Sequence, residues 1–436
     1  MVGQYDVAVI GGGPAGSTAA ALLAKRGRSV VLLEKDRHPR FHIGESLLPL
    51  NLGLFDELGV SAEVAAIGLV KPEVEFHSPD HPHGQTFSFS EACDPRYPYA
   101  YEVRRSEFDK VLLDNAREAG ATVHEGCRVT EVAVSDDAVR LRAVPDDGRP
   151  ALELVARELV DASGRDTVMA GRMGTKRKHP KHASAALYGH FDGVERYAGP
   201  REGVISIYWF AHGWFWLIPL KDGTTSVGAV CWPHYLKSRR TDPSRFLLDT
   251  IALCPPLAHR MRDATLQGPV TATGNYSYLG ATMTAPRVTL VGDAYAFIDP
   301  VFSSGVYLGM RSASFAADMI DAILRDPSRA PRLRADFERT VRRGLRRFSW
   351  MIFRMTNPVM RDLIMAPRDV LGVKRGVVSL LAGDVYGRGG VAARVMLFRA
   401  IYYASVAASP LRAWRAVRRR RVNIAAAPIR ATDGSG

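Results

Sequence analysis

The sequence is poor in cysteine. It has four cysteines among 436 residues, Cys93, Cys127, Cys231 and Cys254, and none of them shows C-x-x-C spacing. This pattern argues against a disulfide framework and against a metal site, and we expect a reducing compartment. Because the chain enters a strand-like pattern almost at once, we also expect no signal peptide and a cytoplasmic protein.

Long apolar runs are scarce as well. The longest one near the C-terminus, residues 400–411, is shorter than a bilayer span and lies between Arg399 and Arg412. The net charge is +13, and much of the basic excess lies in residues 342–347 and 412–421. A basic helical end leaves three interpretations open: a packed terminal helix, docking on an acidic acyl carrier protein, or peripheral membrane contact. No binding motif accompanies the charge, so we expect no nucleic-acid partner.

A glycine-rich turn follows the first apolar strand, at residues 11–16. In this G-x-G-x-x-G pattern the first glycine permits the tight turn, the second lets backbone approach a pyrophosphate, and the third lets helix and strand pack closely. A helix and a second strand follow, and that strand ends at an acid placed to accept hydrogen bonds from ribose hydroxyls. This order predicts dinucleotide binding. The predicted contacts are Gly11, Gly13, Ala15, Gly16 and Glu34.

Two later strand ends favour FAD over NAD. One strand ends at Asp161 in a D-x-x-G turn closed by Gly164, and another ends in Gly-Asp-Ala around Asp293. Together with an R-x-x-F-D run that begins at Arg105, this set resembles the FAD-dependent hydroxylase superfamily typified by p-hydroxybenzoate hydroxylase. The resemblance implies that Asp293 binds the ribityl chain and that Arg105 reaches the flavin side. A turn-forming or helix-capping Asp293 is the alternative.

The same resemblance implies the fold class, an α/β two-domain flavoprotein. We expect a Rossmann-like FAD-binding domain over residues 1–335, with an inserted mixed β-sheet substrate domain formed by about 70–100 and 175–280. A helical C-terminal region is expected over residues 336–421, followed by a disordered tail over 422–436.

Two tryptophans stand two residues apart in a strand-like run. Strand alternation puts Trp214 and Trp216 on one face, where they form either core packing or a rigid wall. With the proline that follows, the run resembles the W-x-W-x-I-P signature of flavin-dependent halogenases. The resemblance implies that the indoles lie beside the tunnel between flavin and substrate. Such a wall disfavours hydroxylation, because it keeps the substrate away from the flavin hydroperoxide, whereas a halide can still reach it.

A loop of small residues follows the Gly-Asp-Ala turn, at residues 297–306. It resembles the halogenase pattern F-x-x-P-x-x-S-x-G, and turned backbone N–H groups of this kind form anion-binding nests. The alternative is an ordinary loop in which Ser303 caps the helix that begins near Val306. The resemblance implies a halide site at Ser304 and Gly305 and a substrate tunnel lined by Pro300 and Phe302.

Lys71 lies in a run that resembles the halogenase pattern carrying the active-site lysine, G-x-x-K-x-x-V-x-F. A solvated surface lysine is the alternative. As an ammonium, Lys71 would polarise hypohalous acid; as an amine, it would form a haloamine, and burial favours the amine by lowering the pKa. Both routes stay open. A nearby G-E-S-x-x-P loop is expected to contact the flavin through Gly44, Glu45 and Ser46, while His42 beside it is expected to be an ordinary loop histidine.

Phe302 separates two branches of this family. Tryptophan halogenases carry a glutamate at the equivalent place, in E-S-T-G, whereas this chain has Phe302-Ser303-Ser304-Gly305. The sequence here resembles the form found in halogenases that act on phenols, or on pyrroles bound to acyl carrier proteins. Such electron-rich rings need less help from an enzyme carboxylate.

These resemblances imply a two-component FAD-dependent halogenase of secondary metabolism. It would use reduced FAD, O2 and chloride or bromide to form hypohalous acid, which Lys71 delivers to an aromatic carbon. No second nucleotide motif is visible in the sequence, so a separate NAD(P)H flavin reductase is expected to supply reduced FAD. An aromatic monooxygenase, a geranylgeranyl-reductase-like enzyme and a non-catalytic flavoprotein adaptor stay open.

Overall fold

The computed structural model describes residues 3–178, 184–274, 277–387 and 389–410, together with Trp414 and Arg418. The chain forms two compact units, each assembled from three separate segments. The first unit comprises Met1–Gly68, Val103–Lys178 and Tyr278–Arg347. The second comprises Leu69–Glu102, His179–Ser277 and Phe348–Gly436.

The strands are, in chain order, β1 Gly3–Ile10, β2 Val30–Leu33, β3 Leu69–Lys71, β4 Glu73–His77, β5 Gln85–Ser88, β6 Ala100–Glu102, β7 Thr122–His124, β8 Cys127–Val134, β9 Val139–Pro145, β10 Leu152–Asp161, β11 Lys176–Lys178, β12 Ala185–Asp192, β13 Ile205–Phe210, β14 Gly213–Pro219, β15 Thr225–Cys231, β16 Thr265–Thr273, β17 Tyr278–Gly280, β18 Thr284–Ala285, β19 Val288–Leu290 and β20 Ala296–Phe297.

The helices are α1 Pro14–Lys25, α2 Asn51–Leu58, α3 Ser61–Ile67, α4 Arg105–Glu118, α5 Val168–Arg172, α6 Pro233–Leu236, α7 Pro243–Ala252, α8 Pro255–Arg260, α9 Ser304–Arg325, α10 Ala330–Ile352, α11 Pro358–Met365, α12 Val373–Leu381 and α13 Gly390–Ala408.

The main sheet of the first unit has a parallel centre. Its strand order is β18-β19-β10-β1-β2-β7, with β9 pairing on β10 and β8 on β9. Pairing is parallel from β19 through β7, while β18, β9 and β8 pair antiparallel. The all-apolar strand β2 is buried throughout, as expected for a parallel strand covered on both faces. Helix α1 packs against α4 and α9.

The parallel register brings distant parts of the first unit to one sheet edge. Ile10 pairs with both Leu33 and Asp161, and Asp161 pairs with Leu290. The carboxyl ends of these four strands are therefore level, and the loops that follow them share one edge. This is the edge at which open α/β sheets bind ligands.

The segment 179–277 leaves and re-enters the first unit at paired positions. In the small antiparallel sheet β11-β17-β20, Lys178 is the register partner of Tyr278. The segment Leu69–Glu102 of the second unit also has paired ends. Its first strand, β3, pairs antiparallel with its last strand, β6, and Leu69 is the partner of Glu102. Each inserted segment is thus closed by a short strand pair.

The large sheet of the second unit has the strand order β16-β12-β15-β14-β13-β4-β5, in which only the β13–β4 pairing is parallel. Side chains alternate between its faces. One face packs on α7 and α8, which contribute Phe246, Leu247 and Leu257 to a core shared with Phe215 and Leu217 of β14. The opposite face carries the two tryptophans of β14.

Helix α13 is long and apolar enough to cross a membrane by length and composition alone, the one such helix among the described residues. The apolar run at 400–411, which is shorter than a bilayer span, begins within this longer helix, and the part of the helix before the run contains Arg394 and Arg399. Core helices meet the same test, so the packing and docking interpretations both stay open. Most of the basic stretch 412–421 and the whole tail 422–436 lie outside the described residues.

Candidate active site

The glycine turn after β1 has the tight geometry that a dinucleotide site requires. Gly11 has a positive φ of 99°, and a Cβ at Gly16 would overlap the Gly11 carbonyl oxygen. A Cβ at Gly13 would meet only the Arg40 guanidinium, at 3.7 Å. Two of the glycines are therefore required by the fold, whereas Gly13 borders open space. The residues present fit a pyrophosphate at the N-terminus of α1.

Arg40 borders the glycine turn, and the sequence analysis missed it. Its guanidinium lies 3.7 Å from where a Cβ at Gly13 would be, and it pairs with the carboxylates of Asp109 at 3.6 Å and Asp36 at 3.7 Å. An isolated arginine in a loop belongs to none of the motifs used above. The only signal in the sequence is its position four residues before Gly44.

Glu34 is buried at the end of β2, as the dinucleotide pattern predicts. Its Oε2 accepts a hydrogen bond from the backbone N–H of Gly12, and its Oε1 accepts one from the N–H of Asp36 at 2.9 Å. A carboxylate offers about four acceptor positions, so two bonds to the protein leave capacity for ribose hydroxyls.

Arg105 ties the G-E-S loop to α4. Its guanidinium makes a two-bond pair with Asp109, at 2.7 and 3.0 Å, and donates to the carbonyl of Ile43 at 2.8 Å. The Glu45 carbonyl accepts from the Val103 N–H at 2.7 Å. The loop that carries Gly44, Glu45 and Ser46 is therefore held from both sides.

The charge of Arg105 also affects the pKa of Asp293. Burial raises the pKa of Asp293 to about 7, and the nearby Arg105 and Arg165 charges offset part of that rise. Burial, with the charge of Arg105, lowers the pKa of His42 to about 4, so that loop histidine is neutral at physiological pH. A carboxyl with a raised pKa would gain from the hydroxyl donors of a ribityl chain. The ribityl contact of Asp293 and the flavin contact of Arg105 stay predictions.

Asp161 serves the local backbone. Its carboxylate accepts from the N–H groups of Ser163 at 3.0 Å and Met169 at 2.7 Å, which fixes the turn after β10 and the start of α5. Gly164 in that turn has a positive φ of 60°. These two residues therefore shape the loop beside the glycine turn, and their contact with a cofactor stays a prediction.

The predicted halide loop ends at the start of α9. Ser303 adopts a left-handed conformation with a φ of 55° and makes no capping hydrogen bond with its side chain, and α9 begins at Ser304. The alternative in which Ser303 caps a helix starting near Val306 is therefore wrong. Outside the helix itself, a Cβ at Gly305 would meet only the Phe297 ring, at 3.9 Å, and the Ser304 side chain beside it is buried. The N-terminus of a long helix favours an anion, so the halide site stays a prediction.

Two predicted tunnel residues lie in the short turn just before that helix. The turn spans Pro300–Phe302, and the Asp299 carboxylate accepts from the Val301 N–H at 3.2 Å. The Phe302 side chain is buried. The structure therefore puts an apolar ring where tryptophan halogenases have a glutamate; the tunnel role of Pro300 and Phe302 stays a prediction.

Lys71 lies in the second unit, at the end of β3, and its side chain is 2% exposed. The solvated surface lysine considered above is therefore wrong. Burial lowers the pKa of Lys71, and the charge of Glu102, which is fully buried, raises it in part. The Lys71 Nζ also lies 5.4 Å from the centre of the Phe89 ring. The amine and ammonium forms are thus brought closer in free energy than for a lysine in water.

The tryptophan pair belongs to a larger aromatic surface. The rings of Trp214 and Trp216 are 5.9 Å apart at 51°, and Trp216 lies 5.8 Å from the ring of Tyr188. Trp209 is the cross-strand partner of Trp214 and stacks on Phe76 at 5.4 Å. The two tryptophans are therefore packed within an aromatic sheet face, and their role as a tunnel wall stays a prediction. The sequence analysis missed Trp209 and Tyr188, and it included Phe76 only as the last residue of the Lys71 run, because these strands pair in a register that no local pattern reveals.

The predicted residues fall into two groups. The first unit contains the proposed FAD contacts and the halide loop, and the second contains Lys71, Trp214 and Trp216.

Comparison with known proteins gives a consistent result. The FAD binding domain family matches residues 4–340. Tryptophan 2-halogenase of Chondromyces crocatus is 36% identical over 323 residues, covering 73% of this chain and 61% of that protein. The chain therefore spans about six tenths of the length of that relative.

Two further relatives align over nearly their whole length. The 1H-pyrrole-2-carbonyl peptidyl-carrier-protein chlorinase of Pseudomonas fluorescens is 29% identical over 411 residues, with 88% of this chain and 90% of that protein covered. The solved structure of the myxobacterial chondrochloren halogenase CndH, a variant of FAD-dependent halogenases, is 32% identical with a TM-score of 0.78, and 97% of each chain is covered.

Proposed function

The chain belongs to the FAD binding domain family and, within it, to the flavin-dependent halogenases, and from this membership we propose that it halogenates an electron-rich aromatic ring. When bound, reduced FAD would supply, with O2, the oxidant that converts chloride or bromide to hypohalous acid. The cofactor would be held by the glycine turn, Glu34, Arg40 and Asp293. Ser304 and Gly305, at the start of α9, would hold the halide.

The observation that carries this proposal is the burial of Lys71 beside Glu102 and Phe89. Lysine is rarely buried unless it is paired or has a chemical task. In a flavoprotein that hydroxylates or reduces its substrate, a buried amine has no evident role. In a halogenase it takes or directs the halogen.

Lys71 supports either of two routes. As an ammonium, it donates a hydrogen bond to hypohalous acid and polarises the oxygen–halogen bond. As an amine, its nitrogen takes the halogen and water is released, and the haloamine then passes the halogen to a ring carbon. In both routes the ring carbon gains the halogen and loses a proton, so the ring must tolerate positive charge.

Phe302 favours a substrate whose own ring stabilises the positive charge of the intermediate. A buried phenyl ring at this position cannot offer the negative charge of a glutamate. Phenols and pyrroles stabilise the charged ring intermediate through their own heteroatom. The chlorinase relative acts, by its name, on a pyrrole held by a peptidyl carrier protein. We therefore infer a free phenol or a carrier-bound pyrrole as substrate.

Reduced FAD would come from a separate reductase in the same cytoplasmic compartment, since the described residues include one dinucleotide turn, at residues 11–16. Supplying NADPH without a flavin reductase is expected to give no turnover, whereas chemically reduced FAD restores it.

The test is a product assay with reduced FAD, O2, bromide and a panel of phenols and carrier-bound pyrroles. Mass spectrometry is expected to find a brominated ring. A hydroxylated product whose yield does not depend on halide would instead identify a monooxygenase, and a reduced prenyl chain would identify a reductase.

Lys71→Met is expected to lower bromination at least 100-fold while FAD binding persists. Lys71→Arg keeps a positive charge beside Glu102 and guards against a folding defect, and it is expected to lose activity too, because a guanidinium does not replace the amine. Lys221→Met, at an exposed position of the same unit, is the matched control. Normal bromination by both Lys71 variants would remove Lys71 from the mechanism.

A further inference from the structure

The indole of Trp216 lies flat on the backbone of the neighbouring strand. Trp216 and Gly228 are register partners on β14 and β15, and Gly228 is in turn the partner of Tyr188 on β12. A Cβ at Gly228 would overlap the six-membered ring of Trp216, with 2.5 Å to Cη2 and 2.6 Å to Cε2. The indole therefore occupies the space that any side chain at position 228 would fill, and it extends toward the Tyr188 ring.

Ser226 fixes the same indole in its own plane. The Trp216 Nε1 donates to the Ser226 Oγ at 3.2 Å, and Ser226 is fully buried. Ser226 stands two residues before Gly228 on β15 and so shares its face of the sheet. A contact against the face of the ring and a bond at its edge together leave the indole one orientation.

Trp209, another buried indole of this surface, is held differently. Trp209 stacks on Phe76, and its Nε1 has no hydrogen-bond partner among the described residues. Stacking alone permits a ring to slide in its plane. Trp216 is therefore the more firmly oriented of the two.

We propose that Gly228 and Ser226 are positioning residues that lock Trp216, and that this lock sets which molecules the tryptophan wall admits. The proposal rests on the proposed halogenase function for its consequence, but the lock itself is a property of the sheet. With Trp216 fixed, the wall passes a halide-sized species and holds back an aromatic ring. With Trp216 displaced, substrate reaches the oxidant and reduced FAD is consumed without halogenation.

The first experiment measures the lock without any turnover. Two indoles 5.9 Å apart couple electronically, so their near-ultraviolet circular dichroism reports their mutual orientation. Gly228→Ala is expected to change that signal, because a rigid ring must move as a whole. The matched control is Gly189→Ala on β12, where the new Cβ would come close only to the flexible Cδ1 end of Leu266, at 2.8 Å, and would make ordinary contacts with Val270 at 3.5 Å and Phe191 at 3.8 Å. The control is expected to keep the wild-type signal. Both substitutions lie in the second unit, so an unchanged far-ultraviolet dichroism spectrum of each variant reports that this unit is folded.

The second experiment measures the consequence. In Gly228→Ala and Ser226→Ala, the fraction of consumed reduced FAD that appears as brominated product is expected to fall at least fivefold, with hydrogen peroxide or oxygenated product rising to match. Ser226→Ala introduces no bulk and so covers the case in which Gly228→Ala fails to fold. On a Trp216→Phe background, which lacks the indole N–H, Ser226→Ala is expected to cause no further loss.

Each outcome decides something. The dichroism signal is measured for both Gly228→Ala and Ser226→Ala. If neither variant changes it, the proposed lock on Trp216 is overturned, whatever the halogenation activity. A changed signal with an unchanged product fraction would keep the lock and overturn its role in selection. If the wild-type protein does not halogenate at all, the proposed function fails while the dichroism comparison still decides the lock.

Discussion

Two glycines of the N-terminal turn respond to the same substitution in opposite ways. At Gly16 a Cβ would overlap the Gly11 carbonyl and lie 3.2 Å from the Ala162 Cβ, so Gly16→Ala is expected to destabilise the protein by about 1–3 kcal/mol. At Gly13 the φ is −72°, which alanine adopts freely, and the new Cβ would meet only Arg40. Gly13→Ala is therefore expected to unfold like the wild type but to bind FAD at least tenfold more weakly. Urea unfolding of the apoprotein and FAD titration separate the two effects; equal FAD affinity in Gly13→Ala would contradict the pyrophosphate site.

Glu102 influences the balance between the two forms of Lys71. Burial lowers the pKa of Lys71, and the Glu102 charge opposes that shift. Removing the charge by Glu102→Gln lowers the pKa of Lys71 further, so the pH profile of bromination is expected to move to lower pH. If the ammonium is the active form, activity is lost at lower pH than in the wild type; if the amine is active, activity appears at lower pH. An unmoved profile would show that Lys71 does not titrate in the catalytic step.

At the scale of elements, the sequence predicts what is local. The strand, glycine turn, helix and second strand of residues 6–34 are each predicted from neighbouring residues. The aromatic run of β14 likewise predicts that strand. The partners of β14 were not, because Phe76 and Tyr188 reach Trp209 and Trp216 only through the strand register of the folded sheet. For the same reason the importance of Gly228 was invisible, since an isolated glycine in a strand has no pattern.

A polar network joins β4 to β13 around a carboxylate whose pKa is shifted. The buried Glu75 carboxylate accepts from Tyr197 at 2.8 Å and from Ser206 at 3.2 Å, and it pairs with the His77 Nε2 at 2.9 Å. Burial alone would raise the pKa of Glu75, but the interaction with His77 and the hydrogen bonds from Tyr197 and Ser206 bring it down to about 2. A depressed carboxyl pKa stabilises the fold above the ordinary value near 4.3, and this stabilisation is lost as the pH falls toward 2.

Glu75→Gln is therefore expected to cost on the order of 3 kcal/mol of unfolding free energy at neutral pH. The same variant is expected to flatten the acid limb of stability between about pH 4.3 and pH 2, because the titrating group is gone. Urea unfolding across that range measures both effects. Parallel acid limbs in the two proteins would show that Glu75 is not the group responsible.

At the scale of the whole molecule, the chain leaves the first unit after Lys178 and returns to it at Tyr278. Lys178 and Tyr278 are antiparallel partners, so a two-residue turn can join them in place of residues 179–277. The shortened chain is expected to bind FAD within about tenfold of the wild type, because the glycine turn, Asp161 and Asp293 all remain. It is expected to lose halogenation entirely, because Trp214 and Trp216 are removed.

The matched control for that deletion is a chain that stops at residue 178. It lacks β19 and α9, which complete the first unit, and it is expected to bind no FAD. Equal loss of FAD binding in the two shortened proteins would show that the first unit depends on the segment 179–277 for its own fold.

Gly228 has a consequence for how such enzymes diverge from one another. The tryptophan signature lies on β14, whereas the residue that orients its second indole lies on β15 and belongs to no signature. Selection can therefore alter the orientation of the second indole while both tryptophans are inherited unchanged. Homologues grouped by their shared motif need not share a substrate range, and the residue opposite the second indole is the one to compare among them.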